Sequence, residues 1–405
     1  MAAVFSHGVF ATFATAARLT GGRVLLWSAL GRLPNAMCPI GALLLVTHDS
    51  GSVWRGSAAT GVLALGQAAG GPLVGRLADR HGQRGVGLVA AVVNALAIVG
   101  LVLGSRLDTA FPWQLVAATL IGLSVPLIGP LSRSRWVRLA DGDGELTSAT
   151  LSLDGTVDEI SFTAGPAVIG VLATLIDPAA GLLLAAALVA VCGTLFALHP
   201  TAAPGHAAHQ RSPGRLLSAP YALLLGGMGL LGACFGSVQV GVTASAEAFG
   251  HPGAAGLVYG LMGGTSAVAG VVTAALPSRW DLPLRLRVSA GLLLAAALPL
   301  LLVSTVTGLA LAVGGLGLAV APQVITMFGL VERTVPTARL GEAMAALVSS
   351  ITLAQAAGTL AAGRLAEGYG PTAPFTLTAC FALAALLLTV LTATADRYRP
   401  AVAGA

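Results

Sequence analysis

Lysine is absent from the 405 residues, and charged residues of all kinds make up only 9% of them. A water-soluble globular chain carries roughly 25% charge, so this one cannot coat a folded surface with hydrated side chains. Its length alone would suggest two or three soluble domains; the scarcity of charge overrides that reading. Cysteine is scarce too. Cys38, Cys192, Cys234 and Cys380 each sit in a separate apolar run, which excludes a disulfide framework, a zinc-ligand spacing and a redox pair. No stretch has the form of a nucleotide loop, a catalytic triad or a metal cluster, so neither an enzyme nor a cofactor is expected. An ATP-driven pump would have no room for its nucleotide domain.

What is present is apolar: 56% of positions and a mean hydropathy of +0.88. Crossing roughly 30 Å of hydrocarbon takes about 20 apolar residues. Twelve runs of that kind lie between positions 24 and 394, separated by short polar breaks. The expectation is an all-α membrane protein of twelve transmembrane helices, rich in glycine and alanine that let helices approach closely. Residues 1–22 lack a compact apolar core followed by a small-residue cleavage site and are read as a cytoplasmic lead rather than a signal peptide.

The net charge of +5 reflects topology. All 21 basic residues are arginine, and seventeen of them fall at the ends expected on one side of the membrane: Arg18, Arg23, Arg76, Arg80, Arg84, Arg133, Arg135, Arg138, Arg211, Arg215, Arg279, Arg285, Arg287, Arg333, Arg339, Arg397 and Arg399. Arg55, Arg106 and Arg364 fall on the other side, and Arg32 lies within a span. The positive-inside bias then puts both termini in the cytoplasm of a bacterial inner membrane, and nucleic-acid binding is not implied.

Segment 199–216 holds three prolines and is the longest break in the apolar pattern. It divides a first six-helix bundle (23–198) from a second (217–394), followed by a cytoplasmic tail (395–405). Its histidines, His199, His206 and His209, are read as linker chemistry rather than a metal site. The halves repeat locally. Ala164-Gly165 and Gly170 in the fifth helix share an Ala-Gly-x4-Gly frame with Ala357-Gly358 and Gly363 in the eleventh. At the end of the second helix, Gly71, Leu77 and Arg80 match Gly270, Leu276 and Arg279 in the eighth. Repeated halves around a midplane site are a common transporter plan.

Between the second and third helices stands Gly75-Arg76-Leu77-Ala78-Asp79-Arg80-His81-Gly82-Gln83-Arg84. This resembles the loop signature of the major facilitator superfamily, with Gln83 replacing a usual basic residue. The resemblance implies two six-helix pseudo-repeated bundles working by alternating access. It also implies that Gly75, Asp79, Arg80, Gly82 and Arg84 act as a cytoplasmic gate, locking the halves together when the protein faces outward. Gly165-Pro166 and Gly170 resemble the fifth-helix motif of the family's exporters. The patches Leu153–Glu159 and Ser132–Trp136 are similar to actinobacterial drug or metabolite:proton antiporters.

Asp154, Asp158 and Glu159 lie within the fifth helix, about 12–20 Å from its start. Intramembrane charge is costly and normally pairs or faces water. Arg133 and Arg135 on the fourth helix and Arg32 on the first come to similar depth, and Arg32 sits in a doubly proline-interrupted stretch, Gly31–Pro39. Two readings follow: an acid among the three carries a proton during transport with Arg32 as its modulator, or the set is a permanent salt-bridge network. Asn35, Met37, Gln239, Gln323 and Gln355 are candidate cavity residues, helped by Met228, Met262, Met327 and Trp27; Glu247 and Glu342 are reserve acids. The expected function is export of a small, moderately apolar drug or secondary metabolite in exchange for protons, by a monomer. The alternatives are an importer or facilitator, or a non-transporting receptor on the same scaffold.

Overall fold

The computed structural model describes residues 21–141, 143–204, 218–274, 280–336 and 339–391. Arg18, His206, His209, Arg211, Arg215, Leu276, Arg279, Arg397 and Arg399 lie outside the described residues, as do most of the linker, the lead and the tail. Regular structure among the described residues is entirely helical. Twelve segments run in sequence: α1 (Gly22–Ser50), α2 (Val53–His81), α3 (Gln83–Arg106), α4 (Phe111–Leu139), α5 (Gly144–Leu175), α6 (Pro178–Leu198), α7 (Ala219–Ala248), α8 (Ala254–Ala274), α9 (Leu282–Leu302), α10 (Val306–Thr334), α11 (Leu340–Tyr369) and α12 (Pro374–Leu391). Ten are long and apolar enough to cross a bilayer by composition alone. The others are α2, whose last two turns carry Arg76, Asp79 and Arg80, and α12, which is apolar but shorter.

The short polar breaks start the helices as well as separate them. Side chains of Ser52, Asp143, Asp177, Ser218, Asp281 and Thr305 accept backbone N–H groups of α2, α5, α6, α7, α9 and α10, satisfying donors that would otherwise be orphaned at each first turn. Outward faces carry bare apolar side chains such as Leu96, Val89 and Val271. In hydrocarbon that is the stable arrangement, because the backbone groups along each helix interior are paired within the helix.

Several boundaries differ from the sequence expectation. The Gly75–Arg84 motif is not a loop: α2 runs to His81, α3 begins at Gln83, and Gly82 alone turns the chain, at φ 89°. A side chain there would be strained, which is why glycine stands at this corner. α1 stays helical across both Pro34 and Pro39. The break falls instead in α4, whose helical pieces Phe111–Leu123 and Ile128–Leu139 are split around Pro126. Asn94 of α3 donates to the Ile121 carbonyl at 2.7 Å, capping the first piece from the side. α6 contains a π-helical turn at Val189–Gly193, packed against Gly31 of α1.

The two bundles, α1–α6 and α7–α12, meet chiefly through α5 against α8 and α2 against α11. The repeated glycine frames explain this geometry. The first glycine of each frame packs within its own bundle: a Cβ on Gly165 would lie 2.9 Å from that of Ala36 in α1, and one on Gly358 would strike the Ala233 backbone in α7. The second glycine faces the other bundle. Gly170 abuts the Leu257 nitrogen of α8, and Gly363 abuts Ser57 of α2. Each frame thus joins a helix to both neighbours, and a larger residue at either position would push one of them away.

Candidate functional site

Four charged side chains converge where α1, α4 and α5 cross. Arg32 donates from Nη1 to Asp158 Oδ1 at 2.8 Å and to the Asp154 carbonyl at 3.1 Å. Its Nη2 reaches Asp154 Oδ1, Ser132 Oγ and Ser28 Oγ. Arg133 donates from Nε to Asp154 Oδ2 at 3.0 Å and from Nη2 to Asp158 Oδ2. Asp154 is further bound by Ser132 Oγ at 2.6 Å and Trp136 Nε1 at 3.0 Å. Two arginines thus bridge two aspartates, and the charges cancel.

The two acids are not equivalent. The Asp154 side chain is 1% exposed, with three donors on Oδ1 and Arg133 Nε on Oδ2, whereas Asp158 is 24% exposed and, among the described residues, held by the two guanidiniums. Arg32 is as buried as Asp154, and its Nε has no partner. Arg133 is 46% exposed. The cluster therefore has a sealed side, built on Asp154, Arg32 and Trp136, and a partly exposed side, built on Asp158 and Arg133.

Two expected members are elsewhere. Arg135 does not pair with the α5 acids. It is fully buried, stacks on the Phe196 ring at 3.7 Å, and donates to Gln83 Oε1 at 2.7 Å and the Phe196 carbonyl at 2.8 Å. On a helix, residues two apart point to opposite sides, so with Arg133 turned to α5, Arg135 must turn to α6. Glu159 is exposed and forms no ion pair among the described residues. Sequence reasoning missed Ser28, Ser132 and Trp136. All are signalled by spacing: Ser28 is one turn before Arg32, and Ser132 and Trp136 flank Arg133 one turn apart.

Beside the cluster, Asn35 accepts from Gln67 Nε2 at 3.2 Å. These two residues, with Asn94 and Val125, line a small polar cleft at the α4 break. Gln355 of α11 is half-buried. Met37, Gln239 and Gln323 do not line open space in this conformation. Met37 is part of the apolar core, and both glutamines are buried with unpartnered amide atoms. Met228, Met262 and Met327 are buried likewise. Trp27 stacks edge-on against His199 at 5.8 Å, and Glu342 pairs with Arg339 on its own helix.

The interbundle contacts gather toward the end carrying the Gly51–Ser52 turn. Along α5 and α8 they run from Thr174 and Gly253 to Thr163 and Gly263. Along α2 and α11, Arg364 lies 3.7 Å over the Trp54 ring and Ser52 Oγ donates to Glu367 at 2.8 Å. The opposite end, carrying Gly82, is where Arg76, Asp79, Arg80 and Arg84 stand exposed. Asp79 makes no ion pair among the described residues; Arg84 donates to the Leu198 carbonyl at 2.8 Å, and Gln83, buried, bonds Arg135 and Ser134. The protein is closed at the Gly51 end.

The α5–α8 seam yields a direct prediction. A Cβ on Gly256 would lie 2.5 Å from both the Gly170 nitrogen and the Pro166 oxygen. Overpacking costs about 1–3 kcal/mol, and here the cost falls only on conformations in which the seam is shut. Gly256→Val is expected to shift the population ratio toward Gly51-end opening by roughly 5- to 150-fold. Faster labelling of a cysteine placed at Thr174 would register the shift; unchanged labelling would mean that the seam does not open.

A polytopic all-helical protein of two pseudo-repeated bundles, closed at one end around a buried charge cluster, has the architecture of a membrane transporter for small molecules. The chain belongs to the Major Facilitator Superfamily, whose family profile matches residues 25–328. No curated protein sequence matches it. Among solved structures it is similar in fold to a bacterial homologue of the iron transporter ferroportin in its inward-facing state, at 16% identity over 93% of this chain and 99% of that one, with a TM-score of 0.73. The human organic anion transporter MFSD10 (TETRAN) matches at 20% identity, 91% and 99% coverage and a TM-score of 0.60. The nucleoside transporter NupG matches at 16% identity, 91% and 98% coverage and a TM-score of 0.68.

Proposed function

We propose that the chain exports a small, moderately apolar compound in exchange for protons, by alternating access across a bacterial inner membrane. The observation that carries this reading is the half-open charge cluster. Asp158 is the partly exposed carboxylate of the cluster, and it sits between two guanidiniums. Protonation there would loosen Arg32 and Arg133 together, linking the proton to the packing of α1 on α4 and α5. A membrane potential supplies about 2.3 kcal/mol per charge per 100 mV and each pH unit about 1.4 kcal/mol. One proton can therefore sustain a substrate gradient on the order of a hundredfold.

Orientation follows from the arginines. Arg76, Arg80, Arg84, Arg138, Arg285, Arg287, Arg333 and Arg339 lie toward the Gly82 end, against Arg55, Arg106 and Arg364 toward the other. By the positive-inside rule the Gly82 end is cytoplasmic, and the closed Gly51 end is outside. The state is then inward-facing. In a chain lacking its native cysteines, Ser304→Cys should label from outside the cell and His81→Cys only after permeabilisation; same-side labelling would remove this topology. Exporter direction draws on the Gly165, Pro166 and Gly170 motif, whose Pro166 and Gly170 meet Gly256 at the seam that seals the outside.

In this state the gate motif is disengaged, and its lock belongs to the outward-facing one. Asp79→Asn should therefore leave the melting temperature within about 0.5 kcal/mol of stability, as for an exposed surface change, while slowing transport several-fold. Normal transport would reduce Asp79 to loop chemistry. The reading as a whole is tested in proteoliposomes, with compounds first selected by a thermal-shift screen of antibiotics and metabolites. Substrate-dependent proton flux is expected. Uphill flux without proton movement would replace exchange by another coupling, and binding without flux would leave a receptor.

A further inference from the structure

A second titratable site lies at the outer mouth, apart from the α5 cluster. Thr47 and His48 near the end of α1, Ala173 of α5, Thr243 and Glu247 near the end of α7, and Gly253 line one cavity between the bundles. The register that relates Gly71 to Gly270 also relates His48 to Glu247, so the pair are counterparts in the two repeats, and both line the cavity where the bundles meet. His48 is half exposed, so solvent protons reach it.

On the first bundle, the remaining charges near His48 have partners that move with that bundle. Asp49 lies 3.1 Å from His48 Nδ1, but Arg106 of α3 binds it at 2.9 Å and Ser105 at 2.7 Å. Arg106 also binds Asp177 at the α5–α6 turn. Burial pulls the Asp177 carboxyl up, but the Ala179 N–H and Arg106 outweigh it and hold the group below its ordinary range. It stays ionised while a histidine titrates. On the second bundle, His251 follows Glu247 in the α7–α8 turn, and Glu367 and Arg364 of α11 are engaged by Ser52 and Trp54. Asp49, Arg106 and Asp177 therefore act on His48 alike in both states, while Glu247 faces it only when the mouth is shut.

We propose that His48 and Glu247 form a proton-responsive clasp: a proton taken from outside solution by the His48 imidazole creates an ion pair with Glu247 that favours the outer-closed state. By linkage, a proton that binds the closed state more tightly shifts the conformational equilibrium by the same factor. The sign is definite. The added closure is present at low pH and is lost as pH rises, because only the protonated imidazole attracts the Glu247 carboxylate. The clasp deepens the exchange reading, because an external proton would then drive return to the inward-facing state.

The test uses spin labels on Leu107→Cys and Ser304→Cys, in outer turns of opposite bundles, in a full-length chain lacking native cysteines and reconstituted in liposomes. Between pH about 8 and about 5.5, the range in which histidine changes charge, the closed-distance fraction should rise several-fold. His48→Gln and Glu247→Gln should each flatten the response, and His48→Arg should hold the mouth closed at every pH. A flat wild-type profile, or a response that survives His48→Gln, would overturn the clasp. The readout is a distance rather than transport. If the pH response is found but no substrate-dependent proton flux, the exchange reading falls and the clasp stands.

Discussion

Asp154→Asn should destabilise the protein by about 3–5 kcal/mol, the usual cost of removing one partner from a buried ion pair. Asp154 is sealed and accepts from Arg32, Arg133, Ser132 and Trp136, so no water is available to replace its charge. The amide would keep the volume but place an NH2 group among donors, and Arg32, almost fully buried, would retain only the partly exposed Asp158. The measurement is thermal unfolding of purified protein in detergent. A large drop for Asp154→Asn, partly recovered in the Asp154→Asn, Arg32→Gln double variant, is the expected pattern, because the second change removes the stranded charge. A single variant that melts like the wild type would show that Asp154 is not a buried partner at all.

That pairing is legible in the amino-acid sequence, and the reason is energetic. Charge inside a span is rare and needs a counter-charge, so three acids in one helix and an arginine at matching depth in another predict a contact. The i,i+4 spacing of Asp154 and Asp158 puts them on one face, and the same helical arithmetic excludes Glu159, about 100° away, and sends Arg135 the other way. The twelve segments are legible because hydrocarbon thickness dictates run length. Breaks are not. Pro34 and Pro39 leave α1 helical, while the α4 break at Pro126 has its orphaned carbonyl taken by Asn94 from another helix. Such compensation is tertiary and leaves no local mark. Nor does sequence specify which end is shut: both glycine frames predict close contact, and only the assembled seams place that contact at the Gly51 end.

Asp158→Asn is expected to have the opposite profile to Asp154→Asn: a folded protein that no longer couples. The carboxylate is 24% exposed, so solvent screens its loss and the destabilisation should be well below that of the sealed acid. Its two arginines keep Asp154 between them, and Arg133 reaches solvent. Under the exchange reading, an amide that cannot take up or release a proton abolishes uphill, pH-driven transport, a loss of at least tenfold in accumulated gradient. Substrate binding survives, and so does substrate-for-substrate exchange at equal pH, because neither requires net proton movement. The permanent-network reading predicts otherwise: transport per folded molecule would remain pH-driven, and only the yield of folded protein would fall. Melting temperature, binding and proton-coupled flux must therefore be measured on the same preparation. Full coupling in Asp158→Asn, with Glu159→Gln equally coupled, would remove proton carriage from α5. It would move the search to Glu247 at the outer mouth and Glu342 at the cytoplasmic end of α11.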